Sequence, residues 1–450
     1  MRKKWRLLVL YLGLSLMLSG CFMRSVDEMY AIPQPPEEYQ NLDAKIQEVK
    51  TSLGAEYAAP LSGRDTQPIQ LQDLDGDGEQ ESAVAFFRVP NGEKPLKIYV
   101  FTRQPDDSYI TDCILEGDGS AIFSVSYEDL GGTPAKEMVV SWQMSANVHT
   151  LAAYSLAPGE AIELMRTSYT KFRILDMDMD DQMEIVALQI DTAEEGASRA
   201  ELYDYDGTTM ILQSTAPLSA GVTEIKSVSS GSLRNSVPAL FVCSAYVEEK
   251  NQIADILALE DGQLKNIVLD SETGMSRETM RYFVMGAQDI NGDGILELPQ
   301  AEAFPEYNST SPAPNYWMLH WRQYDLDGNA HEVFSTYHNV TDGWYLVLPD
   351  WWHGLVSVSR RDISSTGERR MVFSRWNGPE SEPTDFLTIY TLTGANRASR
   401  ATIGNRQPLL EDASTIYACE FAKDGWNCGL DRDGLLERFS LIRTAWSTEN

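Results

Sequence analysis

Short apolar runs separated by polar turns dominate the chain after about residue 60, and this pattern favours β-strands over helices. The run 83–87, for example, is too short for a buried helix and follows an acidic turn. Elsewhere, two strand-like runs flank an Asp-Gly turn, as in 200–205 and 210–213 around Asp206 and Gly207. The other predicted hairpins join 96–102 to 109–115, 253–259 to 264–269, and 316–324 to 332–337. We therefore predict a mainly β protein made of tandem four-strand units of roughly 50 residues.

Three nine-residue segments between the predicted strands, 73–81, 176–184 and 289–297, carry oxygen-bearing side chains at positions 1, 3, 5 and 9. Acidic side chains on alternate residues converge when the chain turns sharply, and Ca²⁺ prefers about six to eight oxygen ligands. The candidate metal ligands are Asp73, Asp75, Asp77, Glu79, Glu81, Asp176, Asp178, Asp180, Glu184, Asp289, Asn291, Asp293 and Glu297. We predict that these loops bind Ca²⁺ in a structural role.

The helix-loop-helix type of calcium site does not fit these loops, because it needs a carboxylate at position 12. That position is Val84, Ala187 and Gln300 in the three loops, so each loop is expected to connect β-strands. The second loop has Asp181 where a glycine is expected for the sharp turn, which predicts a weaker site there.

Degraded copies of the loop lie between the acidic ones, whose first residues are 103 and 113 residues apart. Segment 129–137 keeps Asp129 and Glu137 but lacks the middle ligands, and segment 229–237 has no carboxylate. The repeat therefore continues through copies that we expect to be structural only.

The three acidic loops resemble the FG-GAP (VCBS) repeats of integrin-like β-propellers, in which a calcium loop joins two strands at the edge of a blade. The resemblance covers about residues 60 to 340, and it implies a β-propeller over residues 61–340. Residues 42–63 leading into the first loop are similar to uncharacterised VCBS-repeat lipoproteins of Firmicutes. That likeness implies the surface of a cell with a single membrane, and it carries no known reaction.

Residues 1–20 resemble a bacterial lipoprotein signal peptide, with a basic start, an apolar stretch and small residues before Cys21. The resemblance implies lipid attachment to Cys21 and a location on the outer face of the cell membrane. A transmembrane anchor is the alternative, but the uncharged stretch 7–20 has 14 residues and a spanning helix needs about 20. A proline-containing spacer is predicted over 21–36.

A capping helix is predicted within residues 37–60, because Leu42, Ile46, Val49 and Leu53 form one apolar stripe. Gly54 is expected to end this helix.

The acidic loops stop after residue 340, and residues 341–450 are predicted to form a small antiparallel sheet followed by a terminal helix. Strand-like runs occur at 355–359, 370–376, 386–392 and 415–421. The apolar stripe that predicts the helix contains Leu435, Leu436, Phe439, Ile442 and Trp446. In the alternative interpretation, these strands are the closing blades of a longer propeller.

The chain has 67 acidic and 36 basic residues and a formal net charge of −31, which opposes binding to nucleic acids and to anionic membranes. Membrane attachment is therefore expected to depend on the lipid. Most of the acidic residues are interpreted as a solvated surface.

Enzyme motifs are absent from the sequence: the histidines show no zinc spacing, and there is no nucleophile elbow or phosphate-binding glycine loop. Trp351 and Trp352 suggest either a glycan platform or, as we favour, part of a core. Cys113 and Cys243 are expected to be buried thiols, whereas a disulfide between Cys419 and Cys428 is left open.

These observations favour a non-catalytic surface lipoprotein that binds an envelope protein or a cell-wall glycan. A calcium-dependent carbohydrate-active enzyme, either a lyase or a hydrolase, is the main alternative. An accessory subunit of an envelope machine is a third hypothesis.

Overall fold

A computed structural model describes residues 39–90, 92–157, 159–191, 197–246, 251–281, 285–307, 315–363, 367–423 and 425–442. The predicted signal peptide, Cys21 and the spacer lie outside the described residues. Within the described residues, no helix is long and apolar enough to cross a membrane.

The described strands form six antiparallel sheets of four or five strands. Sheet one contains β1 (Glu56–Tyr57), β2 (Ile69–Gln72), β3 (Ser82–Arg88), β4 (Leu96–Arg103) and β5 (Tyr109–Gly117). Sheet two contains β6 (Ala121–Glu128), β7 (Glu137–Ser145), β8 (Val148–Ala157) and β9 (Glu160–Tyr169). Sheet three contains β10 (Lys171–Leu175), β11 (Glu184–Gln189), β12 (Arg199–Tyr205) and β13 (Met210–Pro217).

Sheet four contains β14 (Val222–Ser232), β15 (Pro238–Tyr246), β16 (Asn251–Glu260) and β17 (Gln263–Asn266). Sheet five contains β18 (Leu298–Ala303), β19 (Trp317–Tyr324), β20 (Ala330–Asn339), β21 (Trp344–Leu348) and β27 (Phe439–Leu441). Sheet six contains β22 (Val356–Arg360), β23 (Arg369–Arg375), β24 (Thr384–Thr393), β25 (Gln407–Glu411) and β26 (Thr415–Phe421).

The predicted hairpins are confirmed, because β4 pairs with β5, β12 with β13, β16 with β17, and β19 with β20. The chain is therefore mainly β, and its sheets are consistent with the blades of a β-propeller.

Apolar side chains pack successive sheets against each other in chain order. Val84 and Phe86 of sheet one share a cluster with Val140 and Trp142 of sheet two. Similar clusters join sheet two to three, three to four, four to five, and five to six. Alternate residues of the central strands face opposite neighbours, so β3 and β7 are apolar on both sides. The core is thus divided into layers between sheets.

Helix α1 (Gln40–Leu53) covers the other face of sheet one and ends at Gly54, whose φ of 60° is left-handed. Leu42 and Ile46 are buried against a cluster that includes Phe87 and Tyr99. On sheet six, the face away from sheet five packs Leu392 and Ala418 with Ala401, which follows α2 (Arg397–Arg400). Sheets one and six therefore each contact a helical segment on the face that does not pack on a neighbouring sheet in these clusters.

The C-terminal region differs from the predicted terminal helix. Helix α3 is only Arg432–Leu436, and Phe439 lies in β27, which pairs with β21 of sheet five. Phe439 pairs with Leu346 of β21, and its ring lies 5.3 Å from that of Trp344, so long-range strand pairing takes the place of the predicted helix there. Residue 340 lies between β20 and β21, which pair within one sheet. Residues 443–450, including Trp446, lie outside the described residues.

The four described cysteines are buried free thiols, so Cys419 and Cys428 are not bridged. Trp352 is 2% exposed and lies in the core shared by sheets five and six, whereas Trp351 is 51% exposed.

Candidate functional site

The acidic loops occupy the same place in three sheets. Each loop leads into a strand, which begins either at the final Glu of the loop or at the next residue. Residues 73–81 connect β2 to β3, and residues 176–184 connect β10 to β11. Residues 289–297 precede β18, and a bridge between Gln288 and Glu297 takes the place of the first strand. The degraded copy 129–137 occupies the corresponding connection of sheet two, and the copy 229–237 covers the end of β14 and its connection to β15 in sheet four.

Neighbouring loops contact each other through their backbones. The N–H of Lys136 donates to the carbonyl of Leu74 at 2.8 Å, and the N–H of Met183 donates to the carbonyl of Asp129 at 3.0 Å. The N–H of Leu296 donates to the carbonyl of Ser232 at 3.0 Å. We call the five loop segments together the loop row.

The second acidic loop gathers the largest group of carboxylates. One oxygen atom from each of Asp176, Asp178, Asp180 and Glu184 lies within 4.8 Å of the others. The backbone N–H groups of Met179 and Asp181 donate to Asp176, at 2.6 and 3.1 Å. This all-oxygen set is the kind that Ca²⁺ prefers.

Asp181 does not disturb the turn of the second loop. Its φ of 71° is in the left-handed region, as are the φ angles of Gly78 (95°) and Gly294 (83°) at the same position. Met179 also has a positive φ of 66°, where the other acidic loops have glycine. The loop thus keeps the shape of its glycine-containing copies, although the positive φ angles of two non-glycine residues cost backbone strain.

Glu184 gives the second loop a feature that points to a cation. Its side chain is 1% exposed, and its Oε2 accepts a hydrogen bond from the N–H of Met177 at 2.5 Å. Its Oε1 is buried and has no hydrogen-bond partner within the described part of the chain. A buried oxygen without a partner is costly, and a bound cation would satisfy it. The residues of this loop therefore fit Ca²⁺.

The first acidic loop brings together oxygen atoms of Asp73, Asp75 and Asp77. Asp73 accepts hydrogen bonds from the N–H groups of Gly76 at 2.8 Å and Gly78 at 2.9 Å. The other predicted ligands, Glu79 and Glu81, lie outside this group of three. Burial, followed by the nearby negative charges of Asp75 and Asp77, raises the pKa of Glu81.

The third acidic loop has a protein group between two of its predicted ligands. Nε2 of Gln323 donates to Oε1 of Glu297 at 2.7 Å and to Oδ2 of Asp293 at 2.8 Å. Asp289 accepts from the N–H of Gly292 at 2.7 Å, and Asn291 accepts from the N–H of Asp293 at 2.9 Å. The Gln323 amide therefore gives Oε1 of Glu297 a hydrogen-bond partner, whereas the corresponding Oε1 of Glu184 in the second loop has none in the described residues.

The three loops differ in one residue of the neighbouring strand, which lies beside the final Glu of the loop. The nine-residue pattern does not contain this residue, so the sequence did not predict it. It is Arg103 on β4, Asp204 on β12 and Gln323 on β19, each following a residue that pairs with the start of the neighbouring strand. Burial, followed by the negative charges of Asp178 and Asp204, raises the pKa of Glu184 to about 8. Among the three loops, the second therefore has the final Glu whose negative charge is least compensated by protein groups.

The pH dependence of stability should report this uncompensated charge in the metal-free protein. Burial raises the pKa of Glu184 to about 8, so the folded chain keeps a proton that the unfolded chain has already released. Stability should therefore fall as pH rises from about 4.5 to about 8. We expect the thermal midpoint in EGTA to decrease over this range, and Glu184→Gln to flatten the decrease.

Thermal unfolding of both proteins at several pH values would check this expectation. Glu160→Gln, at an exposed position of β9, is the matched control. Parallel pH profiles for the wild type and Glu184→Gln would contradict it.

A cavity of about 800 Å³ lies beside the loop row. The first strands of sheets two and three and the segment 62–65 contribute to its wall. Four basic residues line it, Arg64, Lys136, Lys171 and Arg173, with two acidic residues, Asp65 and Glu128. The wall is therefore more basic than the chain as a whole.

Comparisons with known proteins give a distant structural likeness. No family model matches the chain, and no curated protein sequence matches it. The chain is similar to the crystal structure of exotype rhamnogalacturonan lyase YesX, with a TM-score of 0.28, 10% identity and 71% of each chain covered. It is also similar to the Dos1 propeller, with a TM-score of 0.27, 9% identity and 81% of each chain covered. A protein from Lactobacillus plantarum gives a TM-score of 0.26 and 10% identity, covering 68% of this chain and 98% of that one.

Proposed function

We propose that the chain is a lipid-anchored, extracytoplasmic lipoprotein whose FG-GAP/VCBS-type β-propeller is stabilised by Ca²⁺ and binds an envelope protein or glycan without catalysing a reaction. The observation that carries the proposal is the loop row, where acidic loops alternate with degraded copies along one edge of the sheets. Cations held there would fix connections whose carboxylates otherwise repel each other. Such a scaffold presents rigid surfaces for a ligand.

Recovery of partners from envelope extract tests the binding function. The mature protein, immobilised through its C-terminus, is incubated with the extract in millimolar calcium or in EGTA. We expect a protein or glycan to be retained in calcium and reduced in EGTA. Identical retention in the two buffers would contradict the dependence on calcium, and retention of nothing would contradict the binding function.

Lipid attachment has a separate test. Metabolic labelling with a fatty acid should mark the wild-type chain, and Cys21→Ser should abolish the label and release the protein from the membrane fraction. Labelling of the Cys21→Ser variant would contradict the anchor.

A calcium-dependent carbohydrate-active enzyme is the second candidate, and one observation favours it. Asp65 and Glu128 line the same cavity, and burial raises the pKa of Glu128, as expected of a general acid. Release of new sugar ends from a polysaccharide, lost in Glu128→Gln, would support this candidate. Binding without such release would favour the non-catalytic function.

A further inference from the structure

The basic wall of the cavity beside the loop row contrasts with the rest of the molecule. The chain has 67 acidic and 36 basic residues, yet four basic residues and two acidic residues line this cavity. In the described residues, Arg64, Lys136 and Lys171 make no ion pair within 4 Å, since none of the ion pairs involves them. Arg64 and Lys136 lie near Glu128, whose pKa burial raises and their positive charges partly lower, so Lys171 is the basic residue of the wall most available to an anionic ligand.

Half-buried rings form a strip along the same cavity. The Phe123 and His149 rings are 4.6 Å apart, those of His149 and Tyr169 are 5.9 Å apart, and those of Tyr169 and Phe172 are 5.0 Å apart. All four residues contribute to the cavity wall. Ring faces beside basic groups suit a ligand that combines an apolar face with a negative charge.

Polar groups in the cavity can meet the neutral hydroxyl groups of such a ligand. Ser124, Ser126 and Thr170 line the wall, and each hydroxyl group can donate and accept a hydrogen bond. His149 also lines the cavity, and burial, followed by the positive charge of Lys171, lowers its pKa, so its ring is neutral near pH 7 and adds no charge to the wall.

We infer that this cavity binds an acidic saccharide. Its sugar ring lies against the strip of four rings, and its carboxylate or phosphate group contacts Lys171 and its basic neighbours. The inference rests on the proposed binding function and names its ligand class. The volume of about 800 Å³ lies within the range of about 300–1,000 Å³ that is typical of ligand pockets. A nucleic acid is disfavoured because the strongly acidic surface would repel a long polyanion.

Titration calorimetry of the full mature chain in calcium tests the inference with four probes. The probes are a hexa-uronate, a sugar phosphate, neutral maltohexaose and inorganic phosphate. We expect the hexa-uronate or the sugar phosphate to bind at least tenfold more tightly than maltohexaose and inorganic phosphate. Whichever acidic probe binds identifies the acid group. Equal affinity for maltohexaose or inorganic phosphate, or binding of neither acidic probe, would overturn the inference.

Two variants locate the site, and a third is the control. Lys171→Glu should weaken binding of the acidic probe about tenfold or more, because it replaces attraction with repulsion. Phe123→Leu should weaken binding several-fold while it keeps an apolar side chain. Lys94→Glu makes the same charge change at an exposed position outside the cavity and should leave the affinity unchanged. Equal losses in Lys171→Glu and Lys94→Glu would overturn the assignment to this cavity.

The extract experiment separates the inference from the proposed function. If a calcium-dependent partner is retained equally by the wild type and Lys171→Glu, the binding function stands and the saccharide assignment fails. If nothing is retained from the extract while the purified acidic probe binds through Lys171, the cavity assignment stands and the envelope function fails.

Discussion

Adding millimolar calcium to EGTA-treated protein is expected to raise the thermal midpoint by several degrees, and Glu184→Gln is expected to remove the largest single part of that gain. Binding to the folded form stabilises it by about 2.7 kcal/mol per site when the free ion is at 100 times its Kd. The second loop should contribute most, because Oε1 of Glu184 is buried and lacks a partner in the described residues. Midpoints that coincide in calcium and EGTA would contradict a structural role for the ion.

The Glu184→Gln variant has a second signature, opposite in sign to that of an ordinary destabilising mutation. Replacing the carboxylate removes a buried negative charge, so the midpoint in EGTA at pH 8 should rise while the calcium gain shrinks. Glu160→Gln should change neither quantity. A midpoint that falls equally in calcium and EGTA would show that Glu184 serves packing alone.

Truncating Ile46 to Ala in helix α1 is expected to cost about 2–5 kcal/mol of stability, the usual range for a buried Ile. Ile46 is 1% exposed and packs with residues of sheet one that include Phe87. The loss should exceed a simple transfer cost, because the truncation leaves a cavity between the helix and sheet one. Urea unfolding with circular dichroism measures it.

Glu48→Ala is the matched control for Ile46→Ala, since it makes the same truncation on the exposed side of the same helix. Its effect should stay within about 0.5 kcal/mol, as for most surface substitutions. Hydrogen exchange should also become faster in β3 of the Ile46 variant. Equal stability losses in the two variants would contradict the covering role of α1.

The strands and the loop positions could be predicted from the sequence because both have local signals. Apolar runs give the strands, and Asp at alternate positions marks the loops, so the hairpin from β12 to β13 was placed correctly. The helix predicted through Phe439 was wrong, since an apolar stripe cannot show that Phe439 pairs with Leu346, more than 90 residues earlier. Long-range strand pairing overrode the local pattern there.

The differences between the three loops could not be read from the loops themselves. Arg103, Asp204 and Gln323 lie outside the nine-residue segments, and only strand pairing brings each beside a final Glu. The basic cavity is hidden in the same way. Arg64 and Lys171 are more than 100 residues apart, and they share one wall because the segment before β2 is hydrogen-bonded to β6, from Leu61 to Ile122 and from Ser62 to Phe123.

The hydrogen bonds between loops of the loop row bear on whether a single sheet of this protein can be deleted. Each degraded copy is hydrogen-bonded to an acidic neighbour, as Lys136 is to Leu74 and Ser232 is to Leu296. These bonds connect a loop that lacks the middle ligands to a loop whose carboxylates could hold a cation. Removing one sheet should therefore disturb the sheets on both sides of it, because residues 129–137 are hydrogen-bonded to both neighbouring acidic loops, through Leu74 and Met183.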